Sequence, residues 1–347
     1  MKRILVSSVV CLFGLMLVMA STVQAQKAIE WRIHTPHGEG RSEFIMEKEW
    51  VDSLNKESNG RLKVTIYPFN ALGFKDADML RICGGNVIEG YMFYPGYTTR
   101  DDAILGLTSP EMIVYEREHF VAYFPYAFEA AKARLANKWK IRLSVAFPSP
   151  ACLVGVIGKS PFNTLASMKG KKMRGWETQQ TDTLTKLGIP AQMMAQSELY
   201  LALKSGVLDG AIYLTTPYLT ASMYEVAPHW STLYQGTQML GMAVSETAFK
   251  ALPNDLQAMM KRVESNLLKK WLAEANTWPD KYDQPALAEL KKKGANILPE
   301  FNLADKEILV KTGLEVWRER AKAIGAEAVE YQKRLESDLM RVKPKTK

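Results

Sequence analysis

The stretch Met168–Glu177, MKGKKMRGWE, decides how this chain is read. A lysine- and glycine-rich turn leads into Met173, Arg174 and Gly175, and the arginine stands where a buried strand normally carries another apolar residue. Arginines are mostly exposed, so Arg174 taken alone reads as a surface residue at a strand end, or as a partner of Glu177. Its neighbours support a sharper reading. Met173 and Trp176 can pack the stem, and Gly175 would let a ligand approach the backbone. A guanidinium offers a planar, permanently charged fork that meets a carboxylate with two hydrogen bonds, which lysine cannot reproduce.

Around this stretch the chain alternates strand and helix. IEWRIHT (29–35) has period two, and RSEFIMEKEWVDSLNKES (41–58) sets Phe44, Ile45, Trp50, Val51 and Leu54 along one helical stripe that Gly60 ends. The strand RLKVTIYP, a helix over 75–82, Gly84-Gly85 and the strand VIEGYMFY complete a β-α-β-α-β unit, which predicts a largely parallel sheet. Strands near 141–147 and 152–157, the segment KKMRG, a helix over 178–187, the strand AQMM, the helix SELYLALKSG and the strand VLDGAIYL repeat that grammar. From 253 to 290 and from 303 to 342 the pattern is helical, with Leu256, Met259, Met260, Val263 and Leu267 on a core-facing stripe. At 347 residues and 47% hydrophobic side chains, two domains are expected. No floppy linker separates them, which predicts a hinged pair with a ligand cleft between.

Residues 1–25 stand apart. Lys2 and Arg3 precede an apolar run whose 17 residues, Ile4 to Ala20, fall short of the ~20 of a membrane span, and Val23, Gln24 and Ala25 form a small-residue cleavage site. The expectation is a cleaved export signal and a mature protein in the periplasm. Two cysteines remain, Cys83 and Cys152; export permits a disulfide, but one pair in so large a chain reads better as two buried thiols. The net charge of +8 includes Lys2 and Arg3 and drops to +6 without them. It is spread along the chain, with a run at Lys291–Lys293 and a tail RVKPKTK that read as solvated surface, so nucleic acid is not expected as a partner.

Enzymatic signatures are missing: no nucleophile elbow, no HExxH helix and no phosphate loop occurs, since Gly158-Lys159-Ser160 has Leu153 where the first glycine belongs. His34 and His37 in HTPH lack a third ligand at matching spacing and read as polar lining of a cleft mouth. No cofactor and no metal is expected.

The segment SMKGKKMRGWETQQTDTLTKLGIPAQMMAQSELYLALKSGVLDG, followed by YEV at Tyr224–Val226, resembles the solute-binding proteins of TRAP transporters, the DctP-like family. The match is dense over about 60 residues. Weaker similarity in LGFKDADMLRICGGNVIEGYMF and ALPNDLQAMMKRV extends it over most of the mature chain. The resemblance implies a two-domain, periplasmic-binding-protein-like α/β fold with a hinge, a cleft and long C-terminal helices. The expected grouping is domain I over 26–150 with a returning segment at about 240–279, and domain II over 151–239 with helices at about 280–347. It also implies that Arg174 grips the ligand carboxylate and that the membrane permease subunits of a TRAP transporter are the partner.

The chain departs from the family pattern in two places. Tyr213 stands four residues after Asp209, where many relatives carry a ligand-binding asparagine, and the place of a second arginine falls in the apolar run CLVGVIG. The expected ligand is therefore an organic acid with one carboxylate and an apolar or aromatic body, in preference to dicarboxylates or sialic-acid-like sugars. Trp176, Tyr213 and part of the cluster Tyr91, Phe93, Tyr94 and Tyr97 would form flat walls, with Tyr94 on the opposite strand face from Tyr91 and Phe93. His34, His37, Glu39 and Arg41 would supply polar contacts from domain I. Rival readings are a binding protein of an ABC-type importer, a ligand-sensing partner of a receptor, and an exported hydrolase.

Overall fold

A computed structural model describes residues 27–194, 196–236 and 238–342; the expected export signal lies outside them. The described residues build two sheets from eleven strands: β1 (Ile29–His34), β2 (Leu62–Tyr67), β3 (Gly90–Phe93), β4 (Ile141–Pro148), β5 (Leu153–Gly158), β6 (Met173–Gly175), β7 (Ala191–Met193), β8 (Gly210–Leu214), β9 (His229–Gln235), β10 (Met239–Ser245) and β11 (Asn296–Ile297). The first sheet has the order β2-β1-β3-β10-β4 and the second β11-β9-β5-β8-β6-β7. β1, β2 and β3 are parallel, as the β-α-β-α-β pattern predicts, but β10 joins antiparallel to both β3 and β4, so the sheet is mixed. β10 arrives from the second sheet and not through a crossover helix, which leaves it free to run the other way.

Each sheet is covered on both faces. In the first, Tyr91 and Phe93 point into one core while Met92 and Tyr94 point into the other, the alternation that a strand imposes. The helix Ser42–Glu57 buries Phe44, Met46, Trp50, Val51 and Leu54. Ile45, expected on that stripe, is 48% exposed, because Met46 takes the core position beside Phe44. The helix Asn254–Glu274 buries all five residues of its expected stripe. The helix Leu303–Ile324 spans both cores: Leu309 packs with the second sheet, while Trp317 and Ala321, with Ala328, Leu335 and Leu339 of the helix Ala326–Arg341, pack with the first. The grouping expected from the sequence puts the helices at about 280–347 with domain II. Cys83 and Cys152 are buried free thiols in separate cores.

The chain crosses between the sheets at β4 to β5, at β9 to β10, and again over residues 275–283. The crossings are tied together. Ser149 N–H donates to Gln238 C=O (2.9 Å) and Gly236 N–H to Cys152 C=O (3.3 Å), while Asp283 Oδ2 accepts from the N–H groups of Cys152 (2.9 Å) and Leu153 (3.3 Å). Among the described residues no helix is long and apolar enough to cross a membrane.

Candidate functional site

Parallel strands leave their carboxyl ends, with the loops that follow, facing one crevice. Here the loops after β1 and β3 and those after β6, β7 and β8 converge on a cleft of about 910 Å³ between the two sheets. Of the residues expected at a site, Arg174, Trp176, Tyr213, Tyr94, His37 and Arg41 line this cleft. His34 and Glu39 do not. His34 is fully buried behind the wall, its Nε2 3.1 Å from Asp76 Oδ1, and Glu39 lies on an outer groove beside Phe44 and Lys48. β3 turns Tyr91 and Phe93 away from the cleft, and Tyr97 lines it beside Tyr94, the two rings meeting edge to face at 5.0 Å.

Arg174 is only 4% exposed. Its Nε donates to Met194 C=O (3.0 Å), Nη1 reaches Ile212 C=O (3.5 Å), and its guanidinium carbon lies 5.9 Å from the centre of the Tyr213 ring. Glu177 does not pair with it: among the described residues no carboxylate stands within ion-pair distance of Arg174. Burial pulls its pKa down, with the field of Tyr213, Tyr97 and Tyr94 opposing. Gly175 serves packing and not ligand approach, since a Cβ there would sit 2.9 Å from Thr181 Cγ2 on the helix Thr178–Lys186. Trp176 N–H donates to Gln180 Oε1 (3.0 Å), Gln180 Nε2 to Tyr234 Oη (3.2 Å), and Tyr234 O–H to Glu111 Oε2 (2.7 Å), so a buried chain of hydrogen bonds holds this wall against the inter-sheet crossing.

The second cation of the cleft is already neutralised. Arg41 Nη2 donates to Glu43 Oε1 at 2.6 Å and its Nε to Oε2 at 3.2 Å. Burial alone would raise the Glu43 carboxyl, but Arg41, with His37 behind it, holds it at about 2. Arg41 Nη1 also reaches across to Gln196 Oε1 (3.4 Å). His37 Nδ1 lies 2.5 Å from Glu47 Oε1. Among the described residues no group of three His, Cys, Asp or Glu side chains converges on a metal position.

Residues 34–323 match the bacterial extracellular solute-binding proteins, family 7 (DctP). The chain belongs to this family. It is 24% identical over 320 residues to a monocarboxylate 2-oxoacid-binding periplasmic protein of Nostoc, covering 87% of this chain and 82% of that one. It is also 24% identical over 304 residues to a C4-dicarboxylate-binding periplasmic protein of Rhodobacter capsulatus, covering 85% of each. A TRAP periplasmic solute-binding protein of Desulfovibrio desulfuricans, solved with sn-glycerol-3-phosphate, superposes with a TM-score of 0.77 at 19% identity over 92% of this chain and 99% of that one. The fold is that of the two-domain TRAP periplasmic binding proteins, with a ligand cleft between the domains.

Among the groups that sequence reading missed are Asp76 and Phe69, which line the cleft, and Glu43, which is buried behind Arg41. Glu43 and Asp76 stand at the start of helical segments, where an acidic residue ordinarily answers the helix dipole. Phe69 lies in an exposed turn with a left-handed backbone, φ 51°. The sequence signal available for it was only the turn YPFNALG.

Proposed function

We propose that this protein captures an organic monocarboxylate in the periplasm, after removal of its signal peptide, and hands it to the membrane permease of a TRAP transporter without chemical change. Domain I (26–150 with about 240–279) and domain II (151–239 with the helices at about 280–347) close about the crossings. Arg174 then grips the carboxylate, Trp176, Tyr213 and Tyr94 wall the apolar body, and His37 and Arg41 line the opposite side. The observation that carries this reading is that Arg174 is buried with no carboxylate partner among the described residues, while Arg41 already has one. A buried charge without a counterion is costly, and a ligand carboxylate offsets that cost. A second carboxylate would find no further arginine or lysine among the described residues that line the cleft and would face Asp76.

A thermal-shift screen of the mature protein against mono- and dicarboxylates tests it, because a ligand at 100 times its Kd adds about 2.7 kcal/mol to stability. Stabilisation by benzoate-like or branched-chain acids is expected. Tighter binding of succinate, malate or a sugar acid would overturn the ligand class, and no response to any acid would overturn carboxylate capture. Small-angle scattering should show a smaller radius of gyration in the bound protein, as hinge closure requires.

A further inference from the structure

We propose that Asp76 selects the ligand: its carboxylate recognises a hydrogen-bond donor, a hydroxyl or an ammonium, on the same acid whose carboxylate Arg174 grips. The proposal rests on the reading of Arg174 given above. Asp76 lines the cleft from the first-sheet side, and its side chain is 23% exposed. Oδ1 lies 3.1 Å from His34 Nε2, and Oδ2 accepts from Asn70 Nδ2 at 3.4 Å. These contacts occupy about two of the roughly four lone-pair sites of a carboxylate. Among the described residues no lysine or arginine pairs with it. The fully buried His34 ring makes no other hydrogen bond among the described residues, its Nδ1 being without a partner there. His34 therefore fixes where Asp76 points.

The surroundings complete the argument. Asp76, Arg41 and Arg174 all line the cleft together with Tyr97, whose ring stands 38% exposed between them and lies in the field of all three. Glu43 cancels Arg41. Among the described residues that line the cleft, what remains is one arginine, Arg174, contributed beside the second sheet, and one carboxylate, Asp76, beside the first. A bare acid satisfies only Arg174. An oxo acid would turn an acceptor toward Asp76, whereas a hydroxy or amino acid satisfies both groups when the cleft closes. A charge-assisted hydrogen bond of this kind is among the stronger polar contacts.

Calorimetry on the native mature protein and on Asp76→Asn would use phenylacetate, mandelate, phenylglycine and phenylglyoxylate for a donor, or an acceptor, next to the carboxylate. Benzoate and 4-hydroxybenzoate place the donor at the far end of a ring. In the native protein, the donor-bearing acid of at least one set should bind tenfold or more tighter than its bare counterpart, and phenylglyoxylate should bind more weakly than mandelate. In Asp76→Asn that donor-to-bare ratio should fall by about ten- to a hundredfold. An unchanged ratio in a variant that melts cooperatively, or tightest native binding of phenylglyoxylate, would overturn the selection by Asp76 and leave carboxylate capture standing. The native ranking decides the matter even if the variant does not fold. Failure of all six acids to bind the native protein would overturn carboxylate capture, and this proposal with it.

Discussion

Arg41, in the wall of the cleft, meets the buried Glu43 at 2.6 Å, and among the described residues that line the cleft this leaves Arg174 as the arginine with no carboxylate partner. Glu43 is almost fully buried, so the pair is screened little by water. On the proposed function, the pair turns a cleft with two arginines into one suited to a single negative charge.

Replacing Glu43 with glutamine should therefore change selectivity. With Arg41 released, the affinity for succinate relative to benzoate is expected to rise by about tenfold, a change of about 1.4 kcal/mol. Competition calorimetry measures it, and an unchanged ranking would remove Glu43 from the account of specificity. The same variant tests acid stability. Glu43 titrates at about 2 in the fold against a usual value of 4.5, so its contribution is present above 4.5 and is lost as the pH falls toward 2. The native protein should lose up to about 3 kcal/mol from this group over that window, a loss that Glu43→Gln would lack.

Glu111 and Glu177 predict the opposite slope. Burial raises both carboxyls, Glu177 to about 7, and Glu111 is raised further by its neighbour Glu177. A carboxyl whose folded pKa is raised binds more protons in the fold than in the unfolded chain. Stability then falls as the pH rises from about 4.5 to about 7. Melting temperatures across that range should decline in the native protein and decline less in Glu177→Gln, whose amide oxygen can still accept from Glu111 N–H (3.3 Å in the native chain). Asp283, raised to about 7 by burial, adds to the slope in both proteins. Parallel curves for the two proteins would contradict the assignment.

Two glycines should respond differently to alanine. A Cβ at Gly38 would meet the ring of Phe69, 1.8 Å from Cζ, and that ring is 74% exposed and free to swing outward. Gly38→Ala should leave the melting temperature nearly unchanged while altering ligand affinity at the cleft lip. A Cβ at Gly313 would lie 2.1 Å from the Met112 carbonyl oxygen, and backbone cannot step aside so easily. Gly313→Ala should cost about 1 to 3 kcal/mol of stability, read by chemical denaturation. Equal effects of the two changes on stability would show that the packing at Met112 is looser than described.

How much was legible in the sequence depends on the kind of signal. The arginine in MKGKKMRGWE could be read because a charged residue between apolar strand neighbours breaks a local rule, and the surrounding pattern gave it a family. Strand β1 followed from period two, and β2, β3, β4, β5, β7 and β8 from the alternation of strand and helix with the turns that bound them. The helix Arg117–Arg134 was not readable, because Pro125 ordinarily marks a break, yet packing of Phe120, Tyr123, Phe124, Ala127 and Phe128 carries the helix through it. β9 and β10 were missed too: β10 is buried along its whole length and shows no alternation. Pairings between distant residues, such as His34 with Asp76 and Tyr234 with Glu111, leave no local trace at all.

The central claim is that Arg174 holds the ligand by a two-pronged contact with its carboxylate. Calorimetry on Arg174→Lys, with the tightest acid from the thermal-shift screen, tests this most directly, since lysine keeps the charge and removes the fork. Leaving a buried ligand carboxylate without its matched partner costs about 3 to 5 kcal/mol, so the account predicts a loss of a hundredfold or more in affinity, with the melting temperature of the unliganded protein little changed. Binding within about threefold of the native protein, a difference of well under 1 kcal/mol, would contradict it.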